Sequence, residues 1–259
     1  MGTALLRRFL AHPLTASLDI DDPATTELRK KIILSKPFLK AIYDEWYKMI
    51  ADRVPAGDGR VLELGSGGGH CETFISGLLT SDVFPCPGVL YVLDARQLPF
   101  ADRSLRGIVM TNVLHHMPDV RQFFLEATRC LGKGGRIVMI EPWSTPWARF
   151  VYKHFHHEPF SPETLDWSFP STGPLSGANM ALPWIVFERD RSLFEKEFPE
   201  LAIEFIQPFM PFRYLLSGGV AMRTLMPTPT YGAWVALERM LSSQMKRIGL
   251  FALISVRRV

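Results

Sequence analysis

Hydrophobic positions follow three regimes along the chain. Between Asp22 and Arg53 they recur at spacings of three and four, first as Leu28, Ile32 and Ile33, then as Phe38, Ile42, Trp46, Met49 and Ile50. That period predicts two amphipathic helices whose apolar stripes face a core. Asp22 is placed to cap the first helix with Pro23 in its first turn, and Pro37 opens the second.

From Arg60 the period changes. Short apolar runs at 61–64, 89–93, 107–110 and 136–140 are separated by polar or helical segments, the signature of a parallel sheet covered by helices. A helix is expected at about 70–76, after the first run. Another is expected over 120–131, where Val120, Phe123, Phe124, Ala127 and Leu131 share a face and Lys133, Gly134 and Gly135 supply the stop.

After Glu141 the chain turns aromatic and proline-rich, with Trp143, Trp147, Tyr152, Phe155, Trp167 and Trp184. This reads as an insertion over the ligand-bearing face. Two late strands, 202–207 and 249–256, bracket a segment of Phe, Leu, Met and Pro. The expected organisation is a single domain over 1–259: amino-terminal helices to 58, a core over 59–142, the aromatic insertion over 143–200, and carboxy-terminal strands over 201–259 carrying a lid-like excursion at 208–247.

Composition changes this picture little. A chain of 259 residues with 47% hydrophobic and 21% charged residues suits one large α/β domain. The formal charge of +3, from 29 basic and 26 acidic side chains without long runs of one sign, gives no nucleic-acid footprint. Cys71, Cys86 and Cys130 form neither a disulfide framework nor a C-x-x-C pair, so a reducing, cytoplasmic setting is expected. Arg7 and Arg8 are followed by no apolar stretch with a cleavage site, so no secretory signal is expected. No run approaches the roughly 18 to 20 apolar residues that cross a bilayer.

The sharpest chemical signal is V-L-E-L-G-S-G-G-G at 61–69, a buried strand entering a turn with Gly65, Gly67, Gly68 and Gly69. Glycine accepts positive φ and has no Cβ, so a ligand can lie against the backbone. A dinucleotide fingerprint would need glycine at position 70, where the chain has His70, which weighs against a nicotinamide enzyme.

The loop resembles the first motif, E/D-x-G-x-G-x-G, of class I S-adenosylmethionine-dependent methyltransferases, particularly the branch containing ubiquinone-pathway enzymes. L-D-A-R-Q-L-P-F at 93–100, T-N-V-L-H-H-M-P-D at 111–119 and K-G-G-R-I-V-M-I-E-P at 133–142 are similar to later motifs of that family. The resemblance covers about 60–142. It implies an α/β Rossmann-like fold: a mostly parallel seven-stranded sheet with an antiparallel carboxy-terminal strand and helices on both faces.

It also implies S-adenosyl-L-methionine as cofactor. Glu63 would hold the amino end of the methionine moiety, with Gly65, Ser66, Gly67 and Gly69 forming the turn. Asp82, with Val83 beside it, would take the ribose hydroxyls. Asp94 and the backbone at Ala95 would read the adenine, and Asn112 and His115 would line the methionine end. The family often has aspartate just before the fourth strand, where this chain has Arg106-Gly107. The segment 83–88 is also too short for the usual helix between strands two and three, so a loop crossover is expected.

A sulfonium methyl is already electrophilic, so the protein chiefly has to align donor and acceptor and exclude water. No metal is required. Base candidates for an acidic acceptor are His116 and, in K-H-F-H-H-E at 153–158, His154, His156 and His157, with Glu158 beside them. Trp143, Trp147, Phe209, Met210, Phe212, Tyr214, Leu215, Leu216 and Met222 suggest an apolar acceptor pocket. The expected partner is a small, lipid-like molecule, with peripheral contact to a lipid interface open to the 208–247 segment. Two alternatives stand beside this reading: a non-catalytic cofactor-binding scaffold for a protein partner, and a nicotinamide-dependent reductase.

Overall fold

The computed structural model describes residues 22–156, 158–171, 173 and 177–259. Helix α1 (Pro23–Ser35) begins where the Asp22 side chain accepts a hydrogen bond from the Ala24 amide at 2.8 Å. Lys36 then breaks into extended backbone before Pro37, and α2 (Pro37–Ala51) follows. The residue before a proline is driven out of the helical region, which sets this boundary. The buried face of α2 carries Phe38, Ile42, Trp46 and Ile50 as expected, and also Tyr43 and Tyr47 one turn apart.

The sheet contains β1 (Arg60–Leu64), β2 (Leu78–Asp82), β3 (Tyr91–Val92), β4 (Leu105–Thr111), β5 (Leu131–Pro142), β6 (Leu201–Phe209) and β7 (Phe251–Arg258). Their spatial order is β3-β2-β1-β4-β5-β7-β6. β1 pairs in parallel with β2 and β4, and β4 with β5, whereas β7 lies antiparallel to both β5 and β6.

Successive residues of the central strands feed opposite faces. Ile108 and Met110 join a core with Phe123, Phe124 and Ala127 of α3 (Val120–Cys130), while Val109 joins one with Trp46 of α2 and Val151 of α4 (Pro146–Phe155). Burial on both faces explains why these strands read as continuous apolar runs. On the α3 side, the Phe124 ring lies 5.1–5.8 Å from those of Phe123, Phe187, Phe194 and Phe198, the last two on and just after α5 (Arg191–Glu197). Truncating so enclosed a ring typically costs roughly 3–5 kcal/mol.

Three local expectations need correction. The segment 70–76 forms no regular helix: it has a single 3-10 turn, Cys71–Thr73. His70 is drawn aside by a 2.7 Å contact with Asp44, and Gly77 takes φ +70° to turn the chain into β2. Thr73, Phe74 and Ile75 are also poor helix formers. Second, Lys133–Gly135 does not end α3. The helix stops at Cys130 and β5 starts at once, with the glycines forming an irregularity between the pairs Leu105–Leu131 and Gly107–Arg136. Third, β3 is only two residues long, an exposed edge. The crossover from β2 to β3 is a loop, as expected, and Arg106 is a tie: its Nε donates to the Gly59 carbonyl at 3.0 Å, bracing the entry to β1.

Candidate functional site

The strand order reverses direction between β1 and β4, and in open α/β sheets a crevice forms there beyond the carboxyl ends of the strands. A cavity of about 970 Å³ opens at this place. Its walls include Glu63, Gly65, Gly69, Asp82, Val83, Asp94, Ala95, Asn112, His115, His116 and His156, bringing together most of the side chains singled out in the sequence.

The glycine loop is shaped by what surrounds it. Gly65 lies at φ +69°, and a Cβ there would come within 2.4 Å of Val113. A Cβ on Gly67 would meet Thr26, Asp82 and Cys86 at 2.5, 2.8 and 3.0 Å, and one on Gly69 would strike the Tyr47 hydroxyl at 2.2 Å. Gly68 faces Arg29 with ordinary clearance. Gly67 and Ser66 lie behind the wall rather than on it. The Gly67 amide donates to Asp82 at 3.0 Å, and the Ser66 hydroxyl accepts from the Ser81 amide at 3.1 Å, joining the loop to β2.

Glu63 is buried, and its Oε2 has no hydrogen-bond partner among the described residues. Burial pushes its carboxyl up to about 7. The buried Asn112 Oδ1 is likewise without a partner among the described residues, on a residue at φ +56° whose amide donates to the Ile140 carbonyl at 2.9 Å. An orphaned buried polar atom is costly and calls for a ligand. Asp82 is also raised by burial, although the Gly67 and Phe84 amides oppose the shift. Asp94 is exposed and engaged by Arg96, whose Nε and Nη2 donate at 2.7–3.0 Å, holding the carboxyl below its ordinary range.

Next to Asn112 and Val113, the cavity wall is arranged around two adjacent histidines. Glu141, fully buried at the carboxyl end of β5, accepts from the Val113 and Leu114 amides at 2.7 and 2.8 Å and meets His115 Nδ1 at 2.7 Å. His115 Nε2 and His116 Nε2 lie 3.5 and 3.8 Å from the two oxygens of Glu158. His116 Nδ1 contacts the Gly177 carbonyl at 3.2 Å. Burial opposes charge on His115, but Glu141 and Glu158 outweigh it and raise the imidazole to about 9. Burial and the neighbouring His115 lower His116 to about 3.

His156 reaches the wall beside Glu158, 3.9 Å away. His154 is exposed at the end of α4, with Nδ1 2.7 Å from the Phe150 carbonyl, and is not on the cavity wall. His157 lies outside the described residues. Of the apolar residues expected to form the pocket, Tyr214, Leu215 and Met222 line it, while Trp143, Phe209 and Met210 are core and Trp147 spends its indole N–H on the Pro211 carbonyl. The sequence reading missed Thr26, Arg29, Tyr43 and Tyr47, which α1 and α2 bring to the cavity. Two tyrosines four residues apart were a visible signal, but core packing produces the same spacing. Glu141 was equally visible, as a lone carboxylate ending an apolar strand.

Residues 79–139 match the family model of the methyltransferase domain. Geranyl diphosphate C-methyltransferase from Streptomyces coelicolor A3(2), solved with Mg2+, geranyl diphosphate and S-adenosyl-L-homocysteine, superposes with a TM-score of 0.51 at 16% identity, over 99% of this chain and 98% of that one. The chain has the class I methyltransferase fold. A putative methyltransferase from Haloferax volcanii, solved with the Trm112 methyltransferase activator, is similar over 90% of this chain and 97% of its own (TM-score 0.50, 14% identity). No curated protein sequence matches the chain. The matched domain spans β2 to β5 and includes Asp82, Asp94 and Asn112 of the cavity, but it does not single out the ubiquinone-pathway branch. Among the described residues, no helix is long and apolar enough to cross a membrane.

Proposed function

We propose that the protein transfers a methyl group from S-adenosyl-L-methionine to a small, largely hydrophobic acceptor by in-line displacement, within one domain formed by the whole chain. The observation that carries this reading is the continuity of the cavity. One cavity is lined both by the orphaned Glu63 and the glycine loop, a cradle suited to an ammonium-bearing nucleoside, and by Tyr214, Leu215 and Met222 from the 208–247 excursion. When bound, the cofactor supplies an activated methyl.

The chain's own residues do the holding. Glu63 and Asn112 offer acceptors to the amino end, Asp82 and Val83 flank the sugar, and Asp94 with Ala95 borders the base. The glycine turn lets the backbone approach. The excursion excludes water from the acceptor side, where positioning is worth several kcal/mol. His156, with His157 next to it in sequence, is the base we assign to an acceptor that must lose a proton. His116, held neutral by burial, is a poor one.

A prenyl diphosphate is one acceptor of suitable size, by analogy with the Streptomyces structure. Three buried free cysteines, Cys71, Cys86 and Cys130, support a reducing compartment such as the cytoplasm. The test is calorimetry with S-adenosyl-L-methionine and S-adenosyl-L-homocysteine, then isotopic methyl transfer to prenyl phosphates and phenols. Binding with turnover on an apolar acceptor is the expected result. Tight binding with no turnover across the panel would favour a scaffold for a protein partner, and no binding of either nucleoside would refute the reading.

A further inference from the structure

His115, His116 and Glu158 bring three potential ligand atoms within 4.8 Å of one another on the cavity wall. Each histidine has its other ring nitrogen already engaged: Nδ1 of His115 with the fully buried Glu141 at 2.7 Å, and Nδ1 of His116 with the Gly177 carbonyl at 3.2 Å. These contacts place a hydrogen on each Nδ1, so that both Nε2 atoms face Glu158, and that of His115 becomes a ligand when a cation displaces its proton. A carboxylate or carbonyl behind an imidazole is the usual support of a metal-ligating histidine, where it fixes the ring and raises its basicity.

The spacing agrees. Separations of 3.5 and 3.8 Å between Nε2 atoms and Glu158 oxygens are long for hydrogen bonds, yet close to the distance of about 3.4 Å between two ligands bound tetrahedrally at about 2.1 Å. Two carboxylates flanking His115 favour positive charge at Nε2, and either a proton or a cation can provide it.

We propose that His115, His116 and Glu158 hold a divalent first-row transition cation, of which Zn2+ is the type, with its remaining positions open to the cavity and available to an oxygen of the methyl acceptor. This departs from the expectation of a metal-free site, and its acceptor role rests on the methyltransferase reading above. Two imidazoles and a carboxylate suit Zn2+, Mn2+ or Fe2+ better than Mg2+, which prefers an all-oxygen shell. The acceptor class then narrows to apolar molecules carrying a hydroxyl, carbonyl or phosphate oxygen able to reach the cation.

The experiment uses the untagged full chain, stripped with chelator and titrated calorimetrically with Zn2+, Mn2+ and Mg2+, with Co2+ absorption as a second readout. One equivalent of Zn2+ or Co2+ is expected to bind, with Mg2+ at least tenfold weaker. His116→Ala and Glu158→Gln should each weaken Zn2+ at least tenfold, and Glu141→Gln, which keeps an oxygen for the Val113 and Leu114 amides but removes the carboxylate behind His115, by 10- to 100-fold. Thermal melts of the metal-free variants show whether they fold. If Glu158→Gln does not fold, His116→Ala and Glu141→Gln carry the test. Zn2+ binding that is absent, or unchanged in the folded variants, would mean that a protonated His115 bridges Glu141 and Glu158, and the proposal would fall. S-adenosyl-L-homocysteine binding, measured on the same stripped protein, distinguishes the two readings: its retention without Zn2+ binding sinks the metal site alone, whereas its loss with Zn2+ binding retained sinks the methyltransferase reading alone.

Discussion

Two parts of the cavity wall are built in different ways. The part bounded by β1, β2 and β4 is made of strand termini and a glycine turn, so its shape is set by backbone. The rest of the wall is assembled from side chains on α4, the turn after β4 and the 208–247 excursion, residues far apart in sequence. Backbone-built sites tolerate little change at a few positions, whereas side-chain-built ones spread their cost over many contacts. That contrast gives an ordered set of expectations.

The largest effect belongs to the glycine turn. Gly67→Val places branched carbon where Thr26 and Asp82 already sit within 3 Å of a Cβ, and should weaken S-adenosyl-L-homocysteine at least about 100-fold, roughly 3 kcal/mol, by calorimetry. Met222→Ala, in the 208–247 excursion, should leave that affinity within about threefold. Equal losses in the two variants would erase the contrast. Next is Asp82→Ala, which removes both a ligand acceptor and the partner of the Gly67 amide. It should cost roughly 1–3 kcal/mol of cofactor affinity, and unchanged affinity would take Asp82 out of the site.

The pH dependence follows from Glu63. Its carboxyl titrates at about 7 in the free protein, and a bound ammonium group would lower that value. Affinity should therefore be flat above pH 7 and fall as pH drops through and below it, by at most about tenfold per unit. Glu63→Gln should abolish the slope. A slope that persists in the variant would assign it to another group.

The smallest effect tests the excursion. Lys36, in the break between α1 and α2, donates through Nζ to the Gly219 and Met222 carbonyls at 2.6 and 2.8 Å, and burial lowers its ammonium to about 8. Lys36→Met should raise the acceptor KM about threefold and leave cofactor affinity unchanged, the mirror image of Gly67→Val.

Legibility in the sequence followed the same division. Glu63, Asp82, Asp94 and Asn112 lie at or just beyond strand ends, so local pattern and family resemblance together brought them to one cavity. Arg29, Tyr43 and Tyr47 reach it only because α1 and α2 pack over the glycine loop, a tertiary fact that helical period cannot carry. The stretch at 70–76 failed as a helix because the His70–Asp44 contact competes with regular backbone bonding. Trp143 and Phe209 read as pocket residues, since an aromatic side chain near a strand end has the same sequence appearance in a core as in a cavity. The pairing of His115 with Glu141, 26 residues away, needed the register of β4 against β5.

The reversed direction of β7 has an architectural consequence. Because β6 ends and β7 begins at the same rim of the sheet, the chain between Phe209 and Phe251 leaves and re-enters on one side without crossing the strands. Such a detour can be lengthened, shortened or exchanged at little cost beyond loop-closure entropy, which grows only with the logarithm of length. The protein thus carries a replaceable faceplate on the cavity, one that can change while Glu63, Asp82 and the glycine turn stay untouched.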